Sequence, residues 1–438
     1  MRGLVPWGMD MSVARIREED EGAEPLVVDL EGTLLHSDLL LETGIAFIRR
    51  RPLRLFRAVA WRARGRTELR ERLADAADID VSVLPYNPAV VTLITAAHRS
   101  GRPVVLAAAS HNRLTERIAA HLQLDRVIAG TSVPNLPAAA ARAAPAGLRD
   151  WAQALRLHQW VKNALLFVPL LASHQVTNPA LLLQGALAFL FFGMCASSVY
   201  LLNDLLDLED DRHHLSKRHR PFAAGRLPIK AGLIALPLLL AAAFAGALWL
   251  LPWKFAAVLG AYYALTLSYS LWLKRQMALD VIALALLYTL RVVAGGAAFH
   301  LPLTFWLLAF STFMFLSLAL AKRYAELRDA LRRGRTEKAR GRDYDPHDLE
   351  MISALGAASG YQAVMVLALY VRDQGTVALY SHPQIIWLAC PVLLFWITRV
   401  WMLTHRGQMH DDPVVFAVRD RISQIVGVLF CLVFLAAT

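Results

Sequence analysis

The stretch Asn203-Asp204-Leu205-Leu206-Asp207-Leu208-Glu209-Asp210-Asp211-Arg212-His213-His214-Leu215-Ser216-Lys217-Arg218-His219-Arg220-Pro221 decides how this chain is read. It follows an apolar run, Pro179 to Leu202, long enough to cross a bilayer. On a helix, Asn203, Asp207 and Asp211 fall at i, i+4 and i+8 on one face, with Asp204 beside them. Four oxygen-bearing side chains there suit a hard cation. Mg²⁺, with Mn²⁺ as a substitute, takes one or two carboxylates plus the phosphate oxygens of a substrate. Arg212, Lys217, Arg218 and Arg220 follow at once and suit the rest of a diphosphate. Carboxylates this dense at a membrane surface are costly unless they share a cation. The segment is therefore read as a metal and diphosphate site rather than a solvated loop.

Working outward, the 438 residues are 56% hydrophobic and only 18% charged, the profile of a polytopic membrane protein with some soluble sequence. The net charge of +11 does not point to nucleic acid, because the basic residues gather between apolar runs. Cys195, Cys390 and Cys431 all fall in apolar runs, so no disulfide framework is expected. Residues 1–24 form a charged extension without an apolar h-region, so no cleavable signal is expected.

The pattern Asn203-Asp204-x-x-Asp207-x-x-x-Asp211-Arg212 resembles the first aspartate-rich motif of the UbiA superfamily of intramembrane prenyltransferases. The resemblance runs from about Trp151 to the C-terminus, so residues 151–438 are expected to form the transferase domain. It implies that Asn203, Asp204, Asp207 and Asp211 hold Mg²⁺ and the donor's diphosphate. It also implies that Asp280 stands where the family keeps its second acidic motif. That motif usually carries more than one acid; here Asp280 is alone, with Lys274 nearby.

Residues 25–130 read as a soluble α/β unit. Leu26-Val27-Val28 is a short buried strand that delivers Asp29 into the turn Asp29-Leu30-Glu31-Gly32-Thr33, and Pro103 to Ala109 is a second strand ending at Ser110. This resembles the haloacid dehalogenase (HAD) superfamily, which implies Asp29 as nucleophile, Glu31 as general acid and Ser110 as the second-motif hydroxyl. The chain departs from that family. No lysine follows Ser110 before Lys162, and an Ala- and Pro-rich linker over 131–150 stands in place of the acidic fourth motif. A phosphatase needs that lysine and those acids, so the domain is expected to be a degenerate, non-catalytic one.

Nine transmembrane spans are expected, near 161–177, 179–202, 229–251, 254–273, 278–298, 303–322, 351–371, 384–404 and 420–437. Basic residues cluster in alternate connections: 203–228, Lys274-Arg275, 322–342 and Arg406 to Arg421. By the positive-inside rule these face the cytoplasm, with the N-terminal domain inside and the C-terminus outside.

Several residues within or beside the spans are candidates for chemistry. Asp280 opens a span and Arg291 lies eleven residues on, on the same helix face about 16 Å along the axis. Lys322-Arg323-Tyr324-Ala325-Glu326 closes another span and reads as a clamp, cations for phosphate and a carboxylate for sugar hydroxyls. A plain helix-surface salt bridge between Lys322 and Glu326 is the competing reading. This segment, and Leu155 to Asn163 (L-R-L-H-Q-W-V-K-N), resemble the branch of the superfamily that transfers phosphoribosyl to decaprenyl phosphate. That resemblance implies that Gln159, Lys162 and Asn163 enter the cavity. His158 and Trp160 read as interfacial anchors. Asp411-Asp412-Pro413 and Arg419-Asp420-Arg421 read as loops held by ion pairs, while Tyr269, Tyr288 and Tyr344 would either orient a substrate or belong to the membrane belt.

Together these readings predict an all-α polytopic membrane bundle of UbiA type behind a small N-terminal α/β HAD-like domain. The expected enzyme lies in a bacterial-type cytoplasmic membrane and uses a Mg²⁺-bound, diphosphate-bearing donor and a polyprenyl lipid. Asp280, Lys274 and Arg212 would act at the reacting centre. Lys162, Asn163, Lys217, Arg218, Arg220, Arg291, Lys322, Arg323 and Glu326 would bind substrate. The preferred reaction is phosphoribosyl transfer from phosphoribosyl diphosphate to a polyprenyl phosphate. Prenyl transfer to an aromatic or other small acceptor is the alternative, and a non-catalytic scaffold or transporter is the alternative of another class.

Overall fold

The computed structural model describes residues 24–50, 54–110, 112–130, 146–214, 216–334, 343–373, 380–409 and 412–438. The N-terminal extension up to residue 23, most of the Ala/Pro-rich linker, and Asp411 lie outside them. In chain order the described elements are β1 (Leu26–Asp29), α1 (Leu39–Arg50), α2 (Leu55–Arg64), α3 (Arg66–Ala76), α4 (Pro88–Arg99), β2 (Val104–Ala108), α5 (Arg113–His121), β3 (Arg126–Ala129), α6 (Leu148–Ala154), α7 (Val168–Ala172), α8 (Pro179–Leu206), α9 (Leu208–His213) and α10 (Ile229–Leu250). They continue with α11 (Trp253–Leu271), α12 (Leu279–Ala298), α13 (Phe305–Arg332), α14 (Leu349–Tyr370), α15 (Ala389–Arg406), α16 (Pro413–Arg419) and α17 (Arg421–Ala437). The chain divides into two compact units: Met1–Leu155 with Tyr200–Pro237, and Arg156–Val199 with Leu238–Thr438.

The first unit is built on a parallel sheet in the order β1-β2-β3, with Leu26 opposite Val104 and Val105 opposite Arg126. Val104-Val105-Leu106-Ala107-Ala108 is buried at every position. An unbroken apolar run is what a central strand covered on both faces requires. Val28, Leu30, Leu34, Leu106 and Ile118 form the core beside it. The helices start where their caps dictate. Asn87 accepts from the Ala89 N–H ahead of Pro88, and Asn112 and Thr115 form a reciprocal capping box at α5. The two strands predicted from sequence are present. The third, β3, was not expected, because Arg126-Val127-Ile128-Ala129 carries no alternation and too short an apolar run to stand out.

Among the described residues six helical segments are long and apolar enough to cross a membrane, or seven if the α16–α17 pair, bent by 84°, counts as one span. The expected nine are not found among the described residues, for two physical reasons. Over 161–177 the backbone takes up a 3-10 run, Leu157–Phe167, followed by the five-residue α7, so no single helix of spanning length forms there. Helix α11 has 19 residues. Its Tyr262, Tyr263 and Tyr269, with Ser268 and Ser270, keep it short of the apolarity of the others. The spans leave Leu183, Leu238, Trp249, Met365 and Leu435 exposed, the surface that a hydrocarbon solvent calls for.

Within the second unit the 3-10 run seats directly on α12. A Cβ added at Gly295 would lie 2.0 Å from the carbonyl oxygen of Leu166. Only glycine permits that approach, and it brings the residues just before Leu166, including Lys162 and Asn163, against the buried face of α12.

Candidate functional site

In the first unit the acidic segment begins where α8 ends. Helix α8 stops at Leu206 and α9 starts at Leu208, with Asp207 between them at φ −99° and ψ 15°. The expectation that Asn203, Asp207 and Asp211 share one uninterrupted face is therefore corrected. Asp204 and Asp211, each only 2% exposed, converge instead. The Nη1 group of Arg220 donates to Asp204 Oδ1 at 3.1 Å and to Asp211 Oδ2 at 2.6 Å. Burial pushes the Asp211 carboxyl above its ordinary range against the opposing pull of Arg220. Asp207 turns elsewhere and lies 3.8 Å from Arg49 of α1. Lys217 and Arg218 lie exposed on the following turn.

Among the described residues no three His, Cys, Asp or Glu side chains gather tightly enough to cage a metal on their own. The donor set nevertheless fits Mg²⁺. Two buried carboxylates face one guanidinium, and Mg²⁺ takes one or two carboxylates and completes its shell with water and substrate phosphate.

Arg212 does not sit free beside these acids. It is buried in a bidentate pair with Glu42 of α1, Nη1 to Oε2 at 3.1 Å and Nη2 to Oε1 at 2.5 Å, and its Nε donates to the Ala223 carbonyl at 3.0 Å. The expected reacting role for Arg212 is corrected: its donors are committed to structure.

The edge of the parallel sheet carries two further acids of this unit. Asp29 ends β1, and Glu31 pairs with Arg70 of α3 at 3.2 Å. Glu31, Arg70, Ser110 and Asn112 line one cleft with Leu30 and Leu114. Burial raises the Asp29 carboxyl, and the neighbouring Glu31 raises it further.

In the second unit two buried networks form. The first centres on Asp280, fully buried at the start of α12. Arg323, 1% exposed, spans its carboxylate, with Nη2 to Oδ1 at 2.9 Å and Nε to Oδ2. Tyr269 donates to Asp280 Oδ1 at 2.8 Å and accepts from Arg323 Nη2 at 2.9 Å, and Arg323 Nη1 meets Glu326. Just ahead of Asp280 the backbone makes a tight turn. Leu279 N–H donates to the Met277 carbonyl at 2.8 Å across Ala278, which sits at φ 65° and ψ −46°. That is the rare, strained hand of the γ-turn. The Ala278 N–H is held by Tyr344 Oη at 3.3 Å. Lys274 lies half-buried in the 3-10 turn Leu273–Arg275 that precedes it.

The second network centres on Asp412, which the sequence reading left without a role. Lys162 Nζ lies 2.8 Å and Lys322 Nζ 3.1 Å from Asp412 Oδ2, and Tyr288 donates to both carboxylate oxygens at 2.7 and 2.9 Å. Burial alone would raise the Asp412 carboxyl, but Lys322 and Lys162 outweigh it and hold the group well below the usual carboxylate range. Lys162 and the Arg291 guanidinium both face the Tyr288 ring, at 5.5 and 5.6 Å. Arg291 does not snorkel: it is 4% exposed. It donates to the Leu287 carbonyl, Tyr262 Oη and Asn163 Oδ1 at 2.6, 3.1 and 3.3 Å. That last bond fixes the Asn163 amide, whose buried Nδ2 finds no acceptor.

The expected clamp of Lys322, Arg323 and Glu326 is thus divided. Successive helix positions point about 100° apart, so Lys322 goes to Asp412 and Arg323 to Asp280, while Glu326 pairs with Arg323 rather than Lys322. Sequence reasoning missed Asp412, Glu42 and Arg49. For Asp412 the signal was an Asp-Pro cap ahead of a short helix. For Glu42 it was an acid at a buried spacing with Leu39, Thr43 and Phe47.

Comparison with known proteins matches residues 164–435 to the UbiA prenyltransferase family. The chain is 34% identical to the uncharacterized protein y4nM of Sinorhizobium fredii, over 94% of this chain and 91% of that one. It is 37% identical to the nodulation protein NoeC of Azorhizobium caulinodans, over 65% and 92%. It is 32% identical to the decaprenyl-phosphate phosphoribosyltransferase of Mycobacterium tuberculosis, over 63% and 89%. A UbiA homolog from Archaeoglobus fulgidus, solved bound to GPP and Mg²⁺, shares the fold with a TM-score of 0.50 at 15% identity, over 66% of this chain and 99% of that one.

Proposed function

The chain belongs to the UbiA prenyltransferase family of integral membrane proteins, and from that premise we propose that it transfers phosphoribosyl from phosphoribosyl diphosphate to a polyprenyl phosphate, as a Mg²⁺-dependent enzyme. The observation that carries the reading is the cluster around Asp412, where Lys162 and Lys322 converge on one carboxylate and Arg291 faces the same Tyr288 ring, beside the unsatisfied Asn163 Nδ2. Buried cations gathered around one acid, next to an orphaned donor, suit an anion with several oxygens. A polyprenyl diphosphate with an aromatic acceptor presents one phosphorylated head, which the acidic segment already accommodates. Phosphoribosyl diphosphate with a polyprenyl phosphate presents a diphosphate, a 5-phosphate and a lipid phosphate, and so accounts for a second phosphate site. The mycobacterial relative named for this reaction supports the same choice.

In this reading Asp204 and Asp211 would hold Mg²⁺, with Asn203 and Asp207 completing the segment. Mg²⁺, when bound, would neutralise the diphosphate as it leaves. Arg220, Lys217 and Arg218 bind diphosphate oxygens. Lys162, Lys322, Arg291 and Asn163 take a phosphate of one of the two substrates. Asp280, spanned by Arg323 and oriented by Tyr269, would supply negative charge at the reacting centre, with Lys274 in the preceding turn. The apolar spans hold the polyprenyl chain and exclude water. The N-terminal unit faces the cytoplasm by the charge pattern of the connections.

The test is the purified full-length protein in detergent, supplied with labelled phosphoribosyl diphosphate and a polyprenyl phosphate. The expected result is labelled lipid and diphosphate release that stop in EDTA, with Lys162→Ala raising the KM of a phosphorylated substrate. Prenylation of an aromatic acid from a polyprenyl diphosphate, with phosphoribosyl diphosphate ignored, would assign the other reaction. Absence of both transfers would leave a scaffold.

A further inference from the structure

We propose that the N-terminal α/β unit is part of the diphosphate site: its Arg49 is a binding residue of that site, and its Glu42 positions the acidic segment. The inference rests on the reading of residues 203–220 as the place where metal and diphosphate bind. It gives the N-terminal unit a use that needs no phosphatase chemistry.

The first observation is the buried pair. Glu42 is 4% and Arg212 8% exposed, and the two carboxylate oxygens meet two guanidinium nitrogens across 170 residues of chain. Such a pair contributes little net stability, because an apolar replacement of the same volume is often as good. What it does fix is geometry. Arg212 follows Asp211 directly, and its third donor is tied to the Ala223 carbonyl. The backbone that carries Asp211 is therefore held from both sides.

The second observation is that one face of α1 meets the whole acidic segment. Glu42 and Arg49 are seven residues apart, two helical turns, and so share a face. Arg49 contacts Asp210 and lies 3.8 Å from Asp207, and Arg50 lies 3.5 Å from Glu209. Further along, His213 lies 3.3 Å from Asp80, and Arg226 bonds Asp150 at 2.7 Å. The turn at Gly225, φ 69°, comes so close that an added Cβ would lie 2.7 Å from His36 Cβ and 3.0 Å from Pro85 Cβ. The segment is attached to N-terminal residues along its length, not at one end.

The third observation separates binding from mere packing. Arg49 remains 28% exposed at its side chain and Asp207 30%, so their pairing is open to exchange in a way the Glu42–Arg212 pair is not. Asp204 and Asp211 share Arg220, while Asp207 has Arg49. Each carboxylate of the segment thus rests against a guanidinium. A divalent cation arriving with diphosphate takes over the carboxylates. The two guanidiniums it displaces are left beside the diphosphate oxygens, for which arginine is the better-matched partner. No covalent step is involved; cations exchange partners.

The experiment is Mn²⁺–pyrophosphate binding to the full-length protein in detergent, followed by the electron paramagnetic resonance of Mn²⁺, with turnover measured alongside. Arg49→Ala should weaken binding about ten- to a hundred-fold, the loss of a charged hydrogen bond. Arg49→Lys should recover only part of it, and the KM for lipid should not move. Arg50→Ala, on the same helix but against Glu209 and Asp78, should bind as wild type. Glu42→Gln should raise the KM for metal–diphosphate, and exchanging the pair (Glu42→Arg with Arg212→Glu) should restore part of the loss. If Arg49→Ala binds Mn²⁺–pyrophosphate as wild type while Asp204→Asn does not, the N-terminal unit is only packed there and the inference is wrong. If Asp204→Asn also binds as wild type, the acidic segment is not the site, and both readings fall.

Discussion

Arg220 reaches Asp204 and Asp211 across sixteen and nine residues, whereas Lys322 and Tyr288 reach Asp412 across 90 and 124. The two regions hold comparable charge by different means. In the acidic segment Asp204 and Asp211 are answered locally by Arg220, and under the reading proposed above the partly exposed pairs are reset by a ligand without moving a helix. Around Asp412 they come from the 3-10 run, α12, α13 and the cap of α16, so the arrangement exists only when those elements are packed. Breaking the first region should therefore cost function and leave the fold. Breaking the second should cost both.

The largest effect is expected in the first region. Asp211→Asn keeps the shape and the hydrogen bond to Arg220 but removes one of two buried carboxylates available to a cation. Turnover should fall below detection, while the thermal unfolding midpoint in detergent stays at the wild-type value. A large fall in that midpoint would mean that the segment is structural rather than reset by ligand.

Asp412→Ala is the corresponding break in the second region. It leaves Lys162 buried without its carboxylate, a loss of about 3–5 kcal/mol. The unfolding midpoint should drop clearly, and Lys162→Met on the same background should return part of it. Mn²⁺–pyrophosphate binding at the acidic segment should survive. The acidity of Asp412 sets the pH window. Its carboxyl is depressed below the unfolded value, so the contribution is fully present above about pH 4 and disappears only as the pH falls through the lower folded value. The change of stability between neutral and mildly acid pH should therefore owe nothing to this group, whose contribution is constant there.

The same contrast explains what was legible in the sequence. The acidic segment could be read because its residues are neighbours in the chain, and periodicity nearly gives their arrangement. Periodicity departs from the structure only where α8 ends: at the one-residue interruption Asp207 turns toward Arg49, while Asp204 and Asp211 share Arg220. Lys162, Asn163, Arg291 and Lys322 are each legible as polar residues stranded in apolar sequence, but nothing local says that the two lysines share one acid. Asp412 completes the set from a loop 90 residues beyond Lys322. Arg323 reads as one half of a clamp with Lys322 until the helix is built, and only then does the rotation between successive residues send the two to different acids. The α/β strands β1 and β2 are legible as buried runs. Glu42 and Arg49 are not, because a surface-seeming helix gives no hint of a partner 160 residues away.

Lys162 and Lys322 offer a finer cut inside the second region. Lys162 is 10% and Lys322 30% exposed at the side chain, so the deeper lysine should bind phosphate more strongly. Lys162→Met should raise the KM of a phosphorylated substrate by about ten-fold or more, the scale of one charged hydrogen bond. Lys322→Met should raise it by less. Equal effects would place the phosphate at the mouth of the cluster rather than beside Asn163.

The smallest effect tests how Asp280 is held. Ala278 sits in a strained, positive-φ γ-turn, and its N–H is held by Tyr344 Oη at 3.3 Å. A non-glycine residue in such a conformation costs about 1–3 kcal/mol and persists only where its surroundings impose it. Glycine adopts positive φ without that cost. Ala278→Gly should therefore not destabilise the protein, although a glycine elsewhere at a helix start would be neutral at best; a gain of about 1 kcal/mol is expected. The turn also aims the first residues of α12, and with them the Asp280 carboxylate, at Arg323 and Tyr269. With the strain relieved, that aim depends on the side-chain network alone. Turnover should fall a few-fold while stability rises, and Tyr344→Phe should lower turnover in the same direction without the gain in stability. If Ala278→Gly were as active as wild type, the strain would be incidental to Asp280. The bidentate Arg323 pair would then suffice to hold the carboxylate, making this network, like the Asp412 cluster, a product of packing alone.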